Sequence, residues 1–340
     1  MFRPVTGYGC VATKVKAMYG KRLSGEEWDR IKNSESAADV TAVLKNSLGW
    51  KHAGDMLPEG CDNTKQLISA IRVCIRTDRE TLYKYASEAD RRYVDFCVKE
   101  DEYKHILGSL RRLISGSDAG LRRPPDMTLR KSRINFPALE NAKNRSELIN
   151  AVSGSMYHDI LSAAPVTAGS DLPDYAAVSA LLENAYRSAH YKYLTRKYKG
   201  TAKHLLTERV RIEADMVNIL ILIRILRYFP KSITAADEIL IPLGRFLSKK
   251  LIAEISAAAS EQEAVDILKT TRWRSVFDDY HPADLDRLFD GAINALNKKL
   301  LRSSEPNFAA VAAYIGLKEA DGERLIRAIT ALGYGLRPNI

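Results

Sequence analysis

The stretch that decides the fold reads FAAVAAYIGLKEADGERLIRAITALGYGL and runs from Phe308 to Leu336. Its apolar residues recur every three or four positions, which is typical of amphipathic helices. A charged segment from Leu317 to Asp321 divides the apolar run, so we expect a corner between two helices there. Nothing in the stretch carries catalytic chemistry. It therefore favours an all-helical protein that works by binding other proteins.

A capped helix that leads to a large aromatic residue occurs three times along the chain. Each copy begins with serine or asparagine, has an acid three residues later, and reaches the aromatic residue 13 or 14 positions after the cap. The copies run from Ser36 to Trp50, from Asn144 to Tyr157 and from Ser260 to Trp273. An acid at this distance from the cap is the signature of a capping box. Successive caps lie 108 and 116 residues apart, which indicates a repeat.

An acid followed by an apolar helical stripe recurs with a similar period. The three acids are Glu102, Asp215 and Asp321, and they lie 113 and 106 residues apart. Because two independent patterns share one period, we predict three copies of one helical unit. The corresponding domains are residues 1–115, 116–228 and 229–340.

Composition is consistent with a folded helical protein of two or three domains. Of the 340 residues 46% are hydrophobic, so the chain can bury real cores, and only 19 Gly and 12 Pro interrupt it. The net charge is +10, from 52 Lys and Arg against 42 Asp and Glu. Abundant charges of both signs favour a solvated mixed surface, and a basic face for an acidic partner is the alternative.

The cysteines and the apolar stretches predict a cytoplasmic protein without a membrane span. The four cysteines form no CxxC pair, so neither a disulfide framework nor a zinc site is expected. The opening MFRPVTGYG lacks the apolar segment of a signal peptide. The most apolar stretch, Met216 to Leu226, is 11 residues long and contains Asn218 and Arg224. A membrane span needs about 20 apolar residues, so this stretch is interpreted as a buried core helix.

Three segments are predicted to interrupt the helical pattern. The longest, Leu121 to Arg145, is rich in Pro, Arg and Lys and is interpreted as an exposed basic connection between domains. Shorter breaks are expected at residues 229–232 and 302–306.

Motifs that would carry enzymatic chemistry are absent from the sequence. It contains no GxxxxGK[ST] loop, no HExxH pair and no GxSxG elbow. Acid and histidine adjoin only at His158-Asp159 and at Asp278 to His281, which we interpret as a helix end and an exposed corner. We therefore predict no catalytic, cofactor-binding or metal-binding residue, and a protein that is not an enzyme.

The most strongly charged feature lies between Arg187 and Arg211. It holds eight basic residues, offset only by Glu208 and interleaved with the tyrosines Tyr186, Tyr191, Tyr193 and Tyr198. Basic residues mixed with aromatics are found in nucleic-acid-binding surfaces. The other interpretation is an amphipathic helix with Tyr and Leu in the core and Lys and Arg in water, free to dock against an acidic protein surface.

Four stretches, taken in order, resemble those of one family. They are an opening Tyr8 to Met18, an acid-x-x-Asn turn at Asp215 to Asn218, a corner at Leu240 to Gly244, and the segment Tyr314 to Asp321. The chain thus resembles the C subunit of archaeal and bacterial V-type ATPases, which is similar to the d subunit of the eukaryotic V-type ATPase. It departs from the family pattern at Leu243, Gly316 and Arg324, which is consistent with a divergent member.

This resemblance implies a structural role in a rotary motor. Family members consist of three similar all-α domains around a pseudo-threefold axis, which form a funnel-shaped socket. The socket couples the foot of the central stalk shaft to the membrane proteolipid ring and transmits torque for proton or sodium transport. The implied location is the cytoplasmic face of the membrane, peripheral and without insertion, with no cofactor. The alternative function is a helical nucleic-acid-binding protein that uses residues 186–211.

Overall fold

The structure, a computed structural model, describes residues 8–86, 88–116, 124–167, 169, 171–228, 239–282, 285–302, 308–338 and 340. These residues form an all-α protein, as predicted. They contain no β-strand beyond an isolated bridge between Val166 and Pro173.

Five helices follow one another in a fixed order of three short helices and two long ones. Helix α1 (Tyr8–Tyr19) precedes the first set, which comprises α2 (Gly25–Lys32), α3 (Ala37–Asn46), α4 (Lys51–Asp55), α5 (Thr64–Tyr85) and α6 (Glu88–Ser115). Helix α7 (Asp126–Lys131) precedes the second set, which comprises α8 (Phe136–Asn141), α9 (Arg145–Ala151), α10 (His158–Ala163), α11 (Tyr175–Lys197) and α12 (Gly200–Tyr228).

The same order occurs a third time. The third set comprises α13 (Lys249–Ser256), α14 (Glu261–Lys269), α15 (Arg274–Phe277), α16 (Leu285–Leu301) and α17 (Phe308–Gly333). Matching helices of successive sets begin 107 to 116 residues apart. The recurrence predicted from two local patterns therefore extends to the order of helices along the chain.

The predicted capped helices are present as α3, α9 and α14. The side chains of Ser36, Asn144 and Ser260 each accept a hydrogen bond from the backbone N–H of the acid three residues later. In return, the Asp39 carboxylate accepts the backbone N–H of the cap residue Ser36, and the other two carboxylates accept the N–H of the residue before the cap, Lys143 and Ala259. These reciprocal bonds satisfy backbone donors that the first helical turn leaves free, and so fix where each helix begins.

The aromatic residues that end these patterns anchor the short helices to the core. Trp50, Tyr157 and Trp273 directly precede α4, α10 and α15. All three side chains are buried, Trp50 and Tyr157 completely. Because a large aromatic side chain dominates the apolar area that a short helix can bury, these residues hold in place helices too short to be stable alone.

The chain divides into two compact units. The first contains the chain up to Arg91 and from Asp290 onward, and the second extends from Arg92 to Phe289. In the first unit, α17 packs along α5 and α1, so early and late parts of the sequence share one core. In the second, Tyr157 and Leu182 lie in a core built from α6 and α8 to α11. The division into three domains at 1–115, 116–228 and 229–340 stays a prediction.

The predicted corner near Lys318 is wrong, because α17 is one continuous helix from Phe308 to Gly333. The residues expected to form the corner lie in its interior, and Lys318 and Asp321 are buried. No proline interrupts the segment. The charged side chains have partners elsewhere in the first unit, described below, which removes the cost of burying them within a helix.

The interpretation of residues 121–145 as an exposed connection is wrong in part, and residues 121–123 lie outside the described residues. The segment contains α7 and α8, and Phe136 and Leu139 of α8 are buried in the core of the second unit. Asn135 caps α8, and Pro137 lies in its first turn, where a missing N–H costs nothing. Of the shorter predicted breaks, residues 229–232 and 303–306 lie outside the described residues.

Residues 216–226 form the interior of α12, as expected for a core helix. Met216, Ile219, Leu222 and Ile223 are buried. Among the helices that the structure describes, none combines the length and apolar character required to cross a membrane.

Candidate functional site: buried acids, a buried lysine and a basic helix turn

The Asp215 carboxylate holds the segment that leads into α13. It lies on α12, is fully buried, and accepts the backbone N–H groups of Arg245, Phe246 and Leu247 at 2.6–3.2 Å. Burial raises the pKa of Asp215, and the three backbone donors offset only part of that effect. The carboxylate thus fixes an irregular segment to a long helix through backbone N–H groups.

Asn218, one turn further along α12, continues this clamp. Its amide donates to the carbonyl of Ile241 at 3.0 Å and accepts the N–H of the same residue at 2.8 Å. Gly244 lies so close to Asp215 that a Cβ atom there would be 2.9 Å from Oδ1, which excludes a side chain. Two of the stretches that carry the family resemblance, Asp215 to Asn218 and Leu240 to Gly244, are therefore in direct contact.

The other two recurring acids make corresponding contacts. Asp321 of α17 accepts two hydrogen bonds from the guanidinium of Arg22, at 2.6 and 2.7 Å, and Arg22 lies just before α2. Glu102 of α6 is buried, and its carboxylate interacts with the side chain of Ser132, which lies between α7 and α8. Burial raises the pKa of Glu102. Each acid thus contacts the segment before the first short helix of another set, in the order first to second, second to third, and third to first.

A buried lysine joins α17 to α5 and to the turn before α4. Lys318 is 2% exposed, and its ammonium donates to the carbonyl of Gly49 at 2.6 Å. The same ammonium lies 3.2 Å from Asp78 Oδ2 and 3.6 Å from the centre of the Trp50 ring. An ammonium group compensated by a carboxylate, a carbonyl and an aromatic face is stable in the interior.

Neighbouring side chains of α17 extend this network. The Tyr314 hydroxyl donates to Asp78 Oδ2 at 2.8 Å, and burial together with the Asp78 carboxylate raises the pKa of Tyr314. One residue beyond Lys318, Glu319 is hydrogen-bonded to the guanidinium of Arg79. Arg324, which departs from the family pattern, stacks over the ring of Trp28 at 3.9 Å. The Tyr314 to Asp321 segment is therefore a helix-packing site.

The predicted basic segment separates into two parts with different roles. Arg187 pairs with Glu183 and Glu213, and Arg209 also pairs with Glu213. Arg211 donates to the carbonyl of Gly244 at 2.7 Å. These three arginines stabilise the packing within the second unit and are not free for a ligand.

The remaining basic residues surround the turn between α11 and α12. We call this surface the α11–α12 basic turn; its members are Lys192, Arg196, Lys197, Lys199 and Lys203. All but the half-buried Lys203 are exposed. Three of the interleaved tyrosines contribute to packing instead: Tyr186 and Tyr198 are buried, and Tyr193 packs against Phe96. The aromatic half of the predicted nucleic-acid pattern is thus largely unavailable to bases.

His190 lies in an aromatic box within the second unit. Its ring stacks on Phe96 at 4.9 Å and lies edge-on to Tyr93 at 5.3 Å, with Tyr186 on another side. Burial lowers the pKa of His190 to about 3, and the charge of Arg209 acts in the same direction. The imidazole is therefore neutral in the folded protein at every pH near neutrality.

This histidine is expected to make the protein less stable in acid. The unfolded chain binds a proton at His190 near pH 6.5 and the folded chain does not, so stability falls as pH drops from 6.5 toward 3. Between pH 6.5 and 4.5 the loss is about 2–3 kcal/mol. Urea unfolding at several pH values, compared between the protein and His190→Phe, isolates this contribution. Identical pH slopes for both proteins would contradict it.

The acid–histidine pairs noted in the sequence lie at exposed positions. His158 and Asp159 are 2.9 Å apart at the start of α10, and the Asp159 side chain is 99% exposed. Asp278 and His281 are both exposed. Among the described residues, no group of three His, Cys, Asp or Glu side chains is placed to hold a metal ion. None of the four cysteines forms a disulfide bond.

Sequence reasoning found the recurring acids but not their partners, and it missed the role of Lys318. A lysine within an apolar helical stripe, four residues after Tyr314, was the available signal for a buried cation.

Comparison with known proteins gives one family. A family model described as the ATP synthase (C/AC39) subunit, of the V-type, matches residues 11–340. No curated protein gives a significant match.

Proposed function

The chain belongs to the V-type ATP synthase (C/AC39) subunit family, and on this basis we propose that it is a non-catalytic rotor subunit. In this role it couples the foot of the central stalk shaft to the membrane proteolipid ring and transmits torque during proton or sodium transport. It binds as a peripheral subunit on the cytoplasmic face of the membrane and carries out no bond chemistry. The observation that carries the proposal is the family match along nearly the whole chain.

A torque-transmitting subunit must resist deformation. The described contacts between helices would make the chain resistant to it. Close-packed interiors have low compressibility. In the first unit, α17 is tied to distant parts of the chain by Lys318, Glu319 and Asp321. In the second, Asp215 and Asn218 hold the segment before α13 on α12. Such ties limit the sliding of helices past one another.

We further propose three similar domains about a pseudo-threefold axis, which form a funnel-shaped socket for the shaft. Support comes from the helix order that recurs three times and from the three acids that contact successive sets in a cyclic sequence. The nucleic-acid alternative has no supporting observation, since Tyr186, Tyr193 and Tyr198 contribute to packing.

Reconstitution with the other subunits tests this role. The chain, co-expressed with the stalk and proteolipid subunits of the same source, is expected to co-purify with both. ATP-driven ion transport in vesicles should require it, while ATP hydrolysis by the detached catalytic head should not. Full ion transport by a complex that lacks the chain, or recovery of the chain alone while the other subunits assemble, would refute the proposal.

A further inference from the structure

The α11–α12 basic turn has no internal counterions. From Asn184 to Thr207 the sequence contains no acidic residue. The nearest acids on either side are committed elsewhere: Glu183 pairs with Arg187, and Glu208 pairs with Arg245 at 2.6 Å. Five basic side chains therefore lie within twelve residues, and none of them forms an ion pair with an acid among the side chains that the structure describes. Their positive field extends into solvent.

Helix stability does not account for the whole cluster. Arg196 and Lys197 lie in the last turn of α11, where cations interact favourably with the helix dipole. Lys199 and Lys203 lie at the N-terminus of α12. The carbonyl of Lys199 accepts the N–H of Lys203 in the first turn of this helix. Cations are unfavourable at a helix N-terminus, and the first turn of α12 has no acid. Lys199 also lies directly after Tyr198, the C-cap of α11, so the two helix dipoles act on it in opposite directions. Lys203 is stabilised by neither helix end, which points to a role outside the folded chain.

The surroundings of the turn indicate the chemistry of its partner. Between residues 189 and 205 no large apolar side chain is exposed. A helix that binds a membrane surface needs exposed Trp, Phe or Leu beside its basic residues, and single-stranded nucleic acid is bound by exposed aromatics. Lys192 and Arg196 are four residues apart on α11, so their side chains lie on one face about 6 Å apart. A surface of this kind fits side-chain carboxylates presented by another protein.

We propose that the α11–α12 basic turn docks against a carboxylate-rich surface of a neighbouring subunit in the V-type complex. This inference rests on the proposed function. The contact is polar and peripheral, so it contributes chiefly to the rate and specificity of assembly and is weakened by salt.

Charge reversal with a matched control tests the proposal. The test variant changes Lys192, Arg196, Lys197 and Lys199 to Glu. The control variant changes Arg130, Lys143, Lys249 and Lys250 to Glu; these residues are also exposed in the second unit and give the same change of net charge. Binding to the other assembled subunits is measured by biolayer interferometry at 50, 150 and 300 mM salt. We expect the test variant to bind about tenfold or more weakly at low salt and the control within about twofold of the unmodified chain.

A single substitution separates docking from folding. Lys199→Asp places a favoured capping residue before α12 and is expected to raise the melting temperature by about 1–3 °C while weakening binding. If the four-residue variant does not fold, this variant and Lys199→Gln carry the test. A variant that is more stable and binds less well indicates that Lys199 serves the partner.

The outcomes distinguish the two proposals. If the unmodified chain binds and both charge-reversal variants bind equally well, the basic turn is not the docking surface, and the rotor role stands. If the unmodified chain binds no other subunit, the rotor role itself fails. If the test variant lost binding to RNA or to phosphatidylserine vesicles but bound the subunits as well as the unmodified chain does, the assignment of a protein partner would be overturned.

Discussion

Replacement of Asp215 by alanine is expected to lower the free energy of unfolding by about 3 kcal/mol. The variant leaves the backbone N–H groups of Arg245, Phe246 and Leu247 without their acceptor in a partly or fully buried site. Each unsatisfied buried donor costs about 1–3 kcal/mol, and partial access of water reduces the sum. Asp215→Asn can keep an oxygen at the position of Oδ2, which accepts the N–H groups of all three residues, so we expect a smaller loss of about 1 kcal/mol.

Urea unfolding monitored by circular dichroism measures this effect. Asp279→Ala is the matched control, because Asp279 is exposed in the same unit; its expected change is within about 0.5 kcal/mol. If Asp215→Ala unfolded at the same urea concentration as the control, the carboxylate would not be holding the segment before α13.

Replacement of Lys318 by methionine is expected to cost about 3 kcal/mol. Methionine fills a similar volume but leaves the Gly49 carbonyl without its donor and removes the cation from the face of Trp50. The Asp78 carboxylate loses the ammonium group but keeps its hydrogen bond from Tyr314. Lys51→Met, at an exposed position of α4, is the control and should change stability by no more than about 0.5 kcal/mol.

A double-mutant cycle tests whether the charges are coupled. Asp78→Asn removes the carboxylate that Lys318 compensates, at 3.2 Å. The double variant Lys318→Met with Asp78→Asn should be more stable, by about 1 kcal/mol, than the sum of the two single losses implies. If the two single losses of stability add up to the loss in the double variant, the ion pair between Lys318 and Asp78 contributes no coupling energy.

Local rules predicted the fold class and the helix starts correctly. The caps at Ser36, Asn144 and Ser260 bond as expected, since a cap depends only on residues within one turn. Burial of Trp50, Tyr157 and Trp273 agrees with the pattern that led to them. The family resemblance, drawn from four stretches in order, agrees with the family match over residues 11–340.

The errors concern residues whose surroundings come from far along the chain. The charged segment near Lys318 suggested a corner because lysine, glutamate and aspartate are rarely buried unless they are paired. Their partners Arg22, Gly49, Asp78 and Arg79 are 240 to 299 residues away in sequence. For residues 121–145, the Pro and Arg content suggested an exposed connection. Phe136 and Leu139 of this segment are instead buried and lie in helix α8.

The sequence by itself determined an all-α chain with a threefold recurrence of helices, because capping, periodicity and apolar spacing act over a few residues. It also located the basic segment from Arg187 to Arg211. Only the tertiary structure decided which of these cations pair with described acids and which lie at the α11–α12 basic turn without such a pair. Pairing of Arg187 or Lys318 depends on acids brought close by folding, and an electrostatic interaction is set by distance in space and by burial.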